Sequence, residues 1–224
     1  MKNIIFIHCG NLVTDKFSRP NQLRCQHIID EMSSYIESSG IIDVVESINL
    51  EVVGDPSITM DIPKVNINFN GPDVHKWEFP TLNKVIEFAK HNPDYNILYL
   101  HTKGSSISTE DSNAKYSDDV RNYHLYWTVT KHTLCLDMLQ EYDVVGAELQ
   151  MHPVRHYSHN MWWAKASHLN KLKHPLEYPM VYDERHQAEF WVGQDETSKY
   201  HSVCSLYNIH TDAISYEKHL YRTN

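Results

Sequence analysis

Cysteine is scarce in this 224-residue sequence: Cys9, Cys25, Cys135 and Cys204 are widely scattered and form no Cys-x-x-Cys pair. That pattern favours reduced thiols over a disulfide framework or zinc knuckle, and so a reducing compartment. Long apolar runs are also missing. The N-terminal MKNIIFIHCGN carries only a short apolar run before His8, too brief for a signal-peptide core, and no later segment approaches a membrane span. A soluble, cytoplasmic protein is the expectation. Positive charge is in deficit, with 20 Lys and Arg against 29 Asp and Glu and a net charge of -9. A protein whose main partner is nucleic acid needs the opposite balance, although a local basic pocket for a small phosphate remains open. There is no P-loop, no HExxH, no Asp-x-Asp, no internal repeat and no low-complexity linker.

What is present is a foldable α/β pattern. Hydrophobic residues make up 41% and charged residues 22%, enough to bury a core within one domain of this length. Apolar strands are expected over residues 3–8, 48–53, 65–69, 96–101 and 143–149. Between them lie a helix from Arg19 to Ser38, with Leu23, Ile28, Ile29, Met32 and Ile36 as its stripe, and a second helix entered at Pro80 and stopped by Asn92 and Pro93. A long third helix is expected from Ser117 to Gln140, with Val120, Trp127, Leu134 and Met138 inward. Such alternation predicts a mostly parallel central sheet flanked by helices. After Gln150 the pattern loosens into aromatic and polar residues, where binding groups are expected to gather.

Four groups of residues could carry chemistry. ILYLHTKG, residues 97 to 104, runs an apolar strand into His101, Thr102, Lys103 and Gly104, delivering polar groups to a sheet edge. Lys103 could hold a phosphate as a point charge there; the alternative is a solvated strand end. In HNMWWAKA, residues 159 to 166, adjacent Trp162 and Trp163 would point to opposite faces of an extended segment, one offering a surface to a sugar ring, unless both are core. His159 and Asn160 add hydrogen-bonding groups. AEFWVG, residues 188 to 193, sets Glu189 beside Phe190 and Trp191, which could desolvate it for general-base work; otherwise it is a solvated carboxylate on a helix's first turn. His152, His156 and His159 would share a face on a helix and could bind a metal, which a metal-dependent hydrolase would use, but Pro153 works against a helix here.

In order along the chain, ILYLHTKG, DDVRNYHLYW, YDVVGAEL, SHNMWWAKASHLNKL and QAEFWVG, with the upstream SSGI and EFPTLNKVIEFAK, resemble a family of small nucleotide-sugar glycosyltransferases with a GT-A-like fold. The resemblance implies a single Rossmann-like domain over residues 1–224, with a nucleotide-binding part over 1–150 and a sugar- and acceptor-binding part over 151–224. It implies a hexosyltransferase-type enzyme that moves a sugar from a nucleoside diphosphate donor, such as a UDP-sugar, to a hydroxyl on a glycan or other acceptor. His8, Asn11, His101, Thr102, Lys103, Gly104 and Arg121 would border the donor, and His159, Asn160, Trp162, Trp163 and Trp191 the sugar or acceptor. Glu189 would be the base of an inverting displacement. The family's usual manganese or magnesium is placed in doubt by the missing Asp-x-Asp, so Lys103, with Arg121, would offset the leaving diphosphate's charge. A binding module that keeps the pocket without turnover is the alternative on the same fold.

Overall fold

The computed structural model describes residues 1–12, 22–206 and 216–222. Strand β1 (Lys2–Asn11) is followed by helices α1 (Gln22–Ser39) and α2 (Ile41–Val44), strands β2 (Ile48–Gly54) and β3 (Val65–Phe69), helix α3 (Phe79–His91) and strand β4 (Tyr95–His101). Helix α4 (Ala114–Leu125) runs through a π-helical turn, Tyr126–Thr130, to α5 (His132–Met138). Short strands β5 (Val144–Gly146), β6 (Leu149–Gln150), β7 (His156–Tyr157) and β8 (Trp162–Lys165) precede α6 (Ala166–Leu169), α7 (Glu184–Phe190) and β9 (Tyr200–Ser202).

Seven of these strands form one sheet in the order β3-β2-β1-β4-β8-β5-β9, while β6 and β7 pair separately. β8 runs antiparallel to both of its neighbours, and the other pairings in the sheet are parallel. The expected α/β architecture, a mostly parallel central sheet flanked by helices, is therefore the one observed. Period-2 alternation divides its core between two faces. Ile5, Ile7, Leu98, Leu100 and Trp163 pack beneath α1, whereas Ile4, Phe6, Ile97, Tyr99 and Trp162 pack with Leu82 and Val85 of α3 and Ala188 of α7. Helices on both faces explain why β1 and β4 are continuous apolar runs.

Two helices depart from the pattern read in the sequence. The first turn expected from Arg19 begins at Gln22, residues 19–21 lying outside those described, and Leu23 is 85% exposed. It sits about 200° round the helix from Cys25, where the buried stripe of Ile28, Ile29, Met32 and Ile36 begins. The single helix expected over Ser117 to Gln140 is interrupted by the π turn, which widens one turn and rephases the residues beyond it. Cys135 and Leu139 are turned inward as a result, and Leu134 is exposed.

Candidate functional site

The sheet reverses its winding between β1 and β4: from β1 the chain goes outward to β2 and β3, then returns to lay β4 on the other side. Ligands of open α/β sheets bind outside the carboxyl ends of the strands at such a switch point. His8 and His101 are register partners there. Past them, the Thr102 amide donates to the His8 carbonyl at 3.0 Å, and the Thr102 hydroxyl accepts from Gly10 N at 3.1 Å while lying 3.4 Å from Ser105 Oγ. Thr102 is thus spent on lacing the turn to β1. Gly104 closes the turn at φ 90°, and a Cβ there would stand 3.0 Å from Ser117 and 3.5 Å from Arg121, so the glycine of HTKG is a backbone requirement.

Arg121 serves the same turn from below. It is fully buried, donates to the Lys103 carbonyl at 2.8 Å and is ion-paired with Glu31 and Asp118, while Arg24 holds Asp118 from the other side. In place of the donor contact expected of Arg121, the structure shows a buried one: four of its five guanidinium N–H groups point to Glu31, Asp118 and the Lys103 carbonyl. Lys103 differs from it. Its side chain is half-buried and has no ion-pair or hydrogen-bond partner among the described residues.

The histidines around Lys103 are neutral at neutral pH. Burial pulls His8 and His101 down to about 4 and His124 to about 3, with the Lys103 cation pushing His101 and His124 further in the same direction. His8 Nδ1 lies 2.9 Å from Thr81 Oγ1 on α3. His101 Nε2 lies 2.7 Å from the carbonyl of His159, which fixes the proton on that nitrogen because a carbonyl only accepts. Asn11 donates to the Asp55 carbonyl at 2.8 Å, and its own Oδ1 is buried without a partner among the described residues. Both ring nitrogens of His124 are likewise buried and have no hydrogen-bond partner among the described residues.

Glu78, which the sequence reading passed over, organises the centre of this region. Its buried carboxylate accepts from Tyr99 Oη at 2.6 Å and from Asn160 Nδ2 at 2.7 Å, with His101 Nδ1 3.7 Å away. Asn160 in turn accepts from Trp162 Nε1 at 2.7 Å and donates to the Ala188 carbonyl at 3.3 Å. These bonds hold His159 and Asn160 at positive φ, 64° and 47°, an uncommon conformation for two successive non-glycine residues. The available signal was only the position of Glu78 ahead of Pro80, at the entrance to α3.

The tryptophans are where the structure departs most from expectation. Trp162 and Trp163 do point to opposite faces, but both faces are covered and each ring is fully buried, as is Trp191. Trp162 stacks on Tyr99 at 5.1 Å, Trp163 donates to the Thr128 carbonyl in the π turn at 2.8 Å, and Trp191 donates to the Lys173 carbonyl at 2.9 Å. None of the three presents a surface on which a sugar could stack. Glu189 is also placed differently: Asp183 caps α7, accepting from His186 N, so Glu189 lies in the last turn rather than the first. Its half-buried carboxylate has no hydrogen-bond partner among the described residues and acts on His101, Tyr99 and His156, favouring the protonated form of each.

His152, His156 and His159 do not share a helix, because they fall on a loop, on β7 and in a 3-10 turn. Among the described residues no three His, Cys, Asp or Glu side chains are grouped to hold a metal ion, so the histidine site finds no donor set there. No helix among them is long and apolar enough to cross a membrane.

Comparison with known proteins gives a family and faint structural likenesses. The chain belongs to the family described as a domain of unknown function, DUF8361, whose model matches residues 15–210. No curated protein matches it. Among solved structures, Rv0371c from Mycobacterium tuberculosis H37Rv is similar at 7% identity over 91% of this chain and 88% of that one, with a TM-score of 0.42. Its complex with manganese is similar at 9% identity over 77% and 76%, with a TM-score of 0.37. A 4-diphosphocytidyl-2C-methyl-D-erythritol synthase matches at 13% identity over 84% of each chain, also with a TM-score of 0.37. Likeness at that level transfers no activity.

Proposed function

We propose that this DUF8361 protein is a glycosyltransferase that moves a sugar from a nucleoside diphosphate sugar to an acceptor hydroxyl. The observation that carries the reading is a pair of charges acting on His101, Lys103 and Glu189, neither with a hydrogen-bond or ion-pair partner among the described residues, near a sheet switch point. A cation and a carboxylate that both act on one buried, neutral imidazole suit the two charges that develop in glycosyl transfer.

In this scheme the acceptor oxygen attacks the anomeric carbon as the bond from that carbon to the diphosphate oxygen breaks. Glu189 takes the hydroxyl proton. The bonding electron pair leaves with the diphosphate, whose added charge Lys103 offsets. Asn11, with its unpartnered Oδ1, faces the nucleoside, and the neutral imidazoles of His8 and His101 wall the site without competing with Lys103 for the anion. Residues 1–150 supply most of the donor side and residues 151–224 the acceptor side, although β8 and β9 of the latter lie within the same sheet. No step is assigned to a metal.

Incubation with a panel of nucleoside diphosphate sugars tests the reading. Slow release of the nucleoside diphosphate by hydrolysis, accelerated by an added glycan acceptor, is the expected result; binding of a nucleotide sugar with no release under any acceptor would identify a binding module instead.

A further inference from the structure

We propose that a cavity of about 230 Å³ beside β6 and β7 binds a neutral, hydroxyl-rich ring. Its walls are Tyr116, Gln150, His152, His156, Ser158 and His159, closed by the buried Tyr216. The proposal deepens the glycosyltransferase reading by naming the chemistry of the acceptor, and rests on it for that role alone.

The lining decides the ligand class. Among the described residues it contains no lysine, arginine or carboxylate, so these walls offer nothing to compensate a phosphate or a carboxylate ligand. The described walls contain no aliphatic side chain either, which argues against a lipid tail. What it offers are amide, hydroxyl and imidazole groups among aromatic rings, the mixture that fixes hydroxyls in direction and covers the apolar face of a sugar. His156 illustrates the match. Its Nδ1 donates to the Val154 carbonyl at 2.8 Å, leaving Nε2 with a lone pair that accepts a ligand hydroxyl. Burial lowers its pKa, so that lone pair is available at neutral pH.

Position supports the same conclusion. His156 packs its ring on Phe190, the residue after Glu189, with centroids 4.9 Å apart, and senses the Glu189 charge. His159, which lines the cavity and feels the Lys103 charge, has its ring 5.4 Å from that of buried His124. The cavity is thus lined by one histidine that feels the Glu189 charge and one that feels the Lys103 charge. A larger hollow, about 440 Å³ along α1, is a weaker candidate because two of its charged walls are already engaged, Glu31 with Arg121 and Arg222 with Tyr35.

Ligand-observed NMR with methyl glycosides of several hexoses, in the absence of nucleotide, tests the site directly. Saturable binding of at least one glycoside is expected, weakened at least tenfold in Gln150→Ala and His156→Phe, with folding of each variant checked by circular dichroism. His152→Ala, at the exposed rim, is a third variant expected to fold normally and to weaken binding. No saturable binding, or equal affinity in all three folded variants, overturns the proposal. Glycoside binding without any nucleotide-sugar turnover would sink the transferase reading and leave this one standing; nucleoside diphosphate release without glycoside binding would do the reverse.

Discussion

Glu78 Oε2 and Asn160 Nδ2, 82 residues apart in sequence, meet at 2.7 Å in the interior. That bond ties the entrance of α3 to the turn that leads into β8, and through Ala188 to the helix that carries Glu189. A carboxylate so placed, with its strongest neighbours all donors, is stable only while those donors remain.

Removing the Glu78 carboxylate should therefore be costly. Glu78→Ala strands the Tyr99 hydroxyl and the Asn160 amide in a dry interior, and a loss of about 3 kcal/mol is expected. Glu78→Gln keeps the shape and one acceptor and should lose about half as much. Urea unfolding of the three proteins gives the comparison, and equal stability of all three would remove Glu78 from its organising role.

Lys103→Ala should behave in the opposite way. The side chain has no partner among the described residues, so the melting temperature should scarcely change, while release of nucleoside diphosphate from the donor falls by about 100-fold, as when one preorganised electrostatic contact to a transition state is lost. Steady-state kinetics on the purified variant will show it; near-normal turnover would mean that another group faces the leaving diphosphate.

Trp163→Ala is expected to destabilise the fold by about 3 to 5 kcal/mol, because the ring is fully buried and its space would remain partly empty. Trp162→Phe keeps most of the stacking on Tyr99 but loses the donor to Asn160, costing about 1 to 2 kcal/mol. Denaturant midpoints distinguish these outcomes from that of a sugar-stacking residue, whose loss would leave stability intact and raise only the acceptor's KM.

Mild acid should weaken the protein before its carboxylates titrate. His8, His101 and His124 have folded pKa values of about 4, 4 and 3, below the ordinary 6.5, so between these limits the unfolded chain binds protons that the native state does not. Stability then rises with pH across that window and is lost as pH falls from 6.5 toward 4, at up to about 1.4 kcal/mol per pH unit for each histidine. Unfolding free energies at pH 7, 6 and 5 measure the slope. A flat profile over that range would contradict the burial of these rings as neutral groups.

Much of the scaffold was legible because it is local. The strand over residues 65–69 and the helix entered near Pro80 arise from apolar spacing, proline position and stop residues, all of which act within a few neighbours. HTKG at the end of a buried strand was legible for the same reason, as was its glycine. Glu189 and Trp162 were misplaced because helix phase and layer coverage are not local: one depends on Asp183 capping α7 earlier than expected, the other on α7 and α3 closing the second face of the sheet.

The sequence by itself determined an α/β chain with an acidic balance, no Asp-x-Asp and a lysine at the tip of a buried strand, since composition and periodicity are properties of the chain alone. Only the tertiary structure decided that β1 and β4 lie side by side at the switch point, that Arg121 is held by Glu31 and Asp118 while Lys103 finds no partner among the described residues, and that Glu78 meets Asn160. The physical reason is the same in each case: strand order and buried polar partners are set by contacts between distant segments competing for one interior, and no periodicity within a segment records which partner wins.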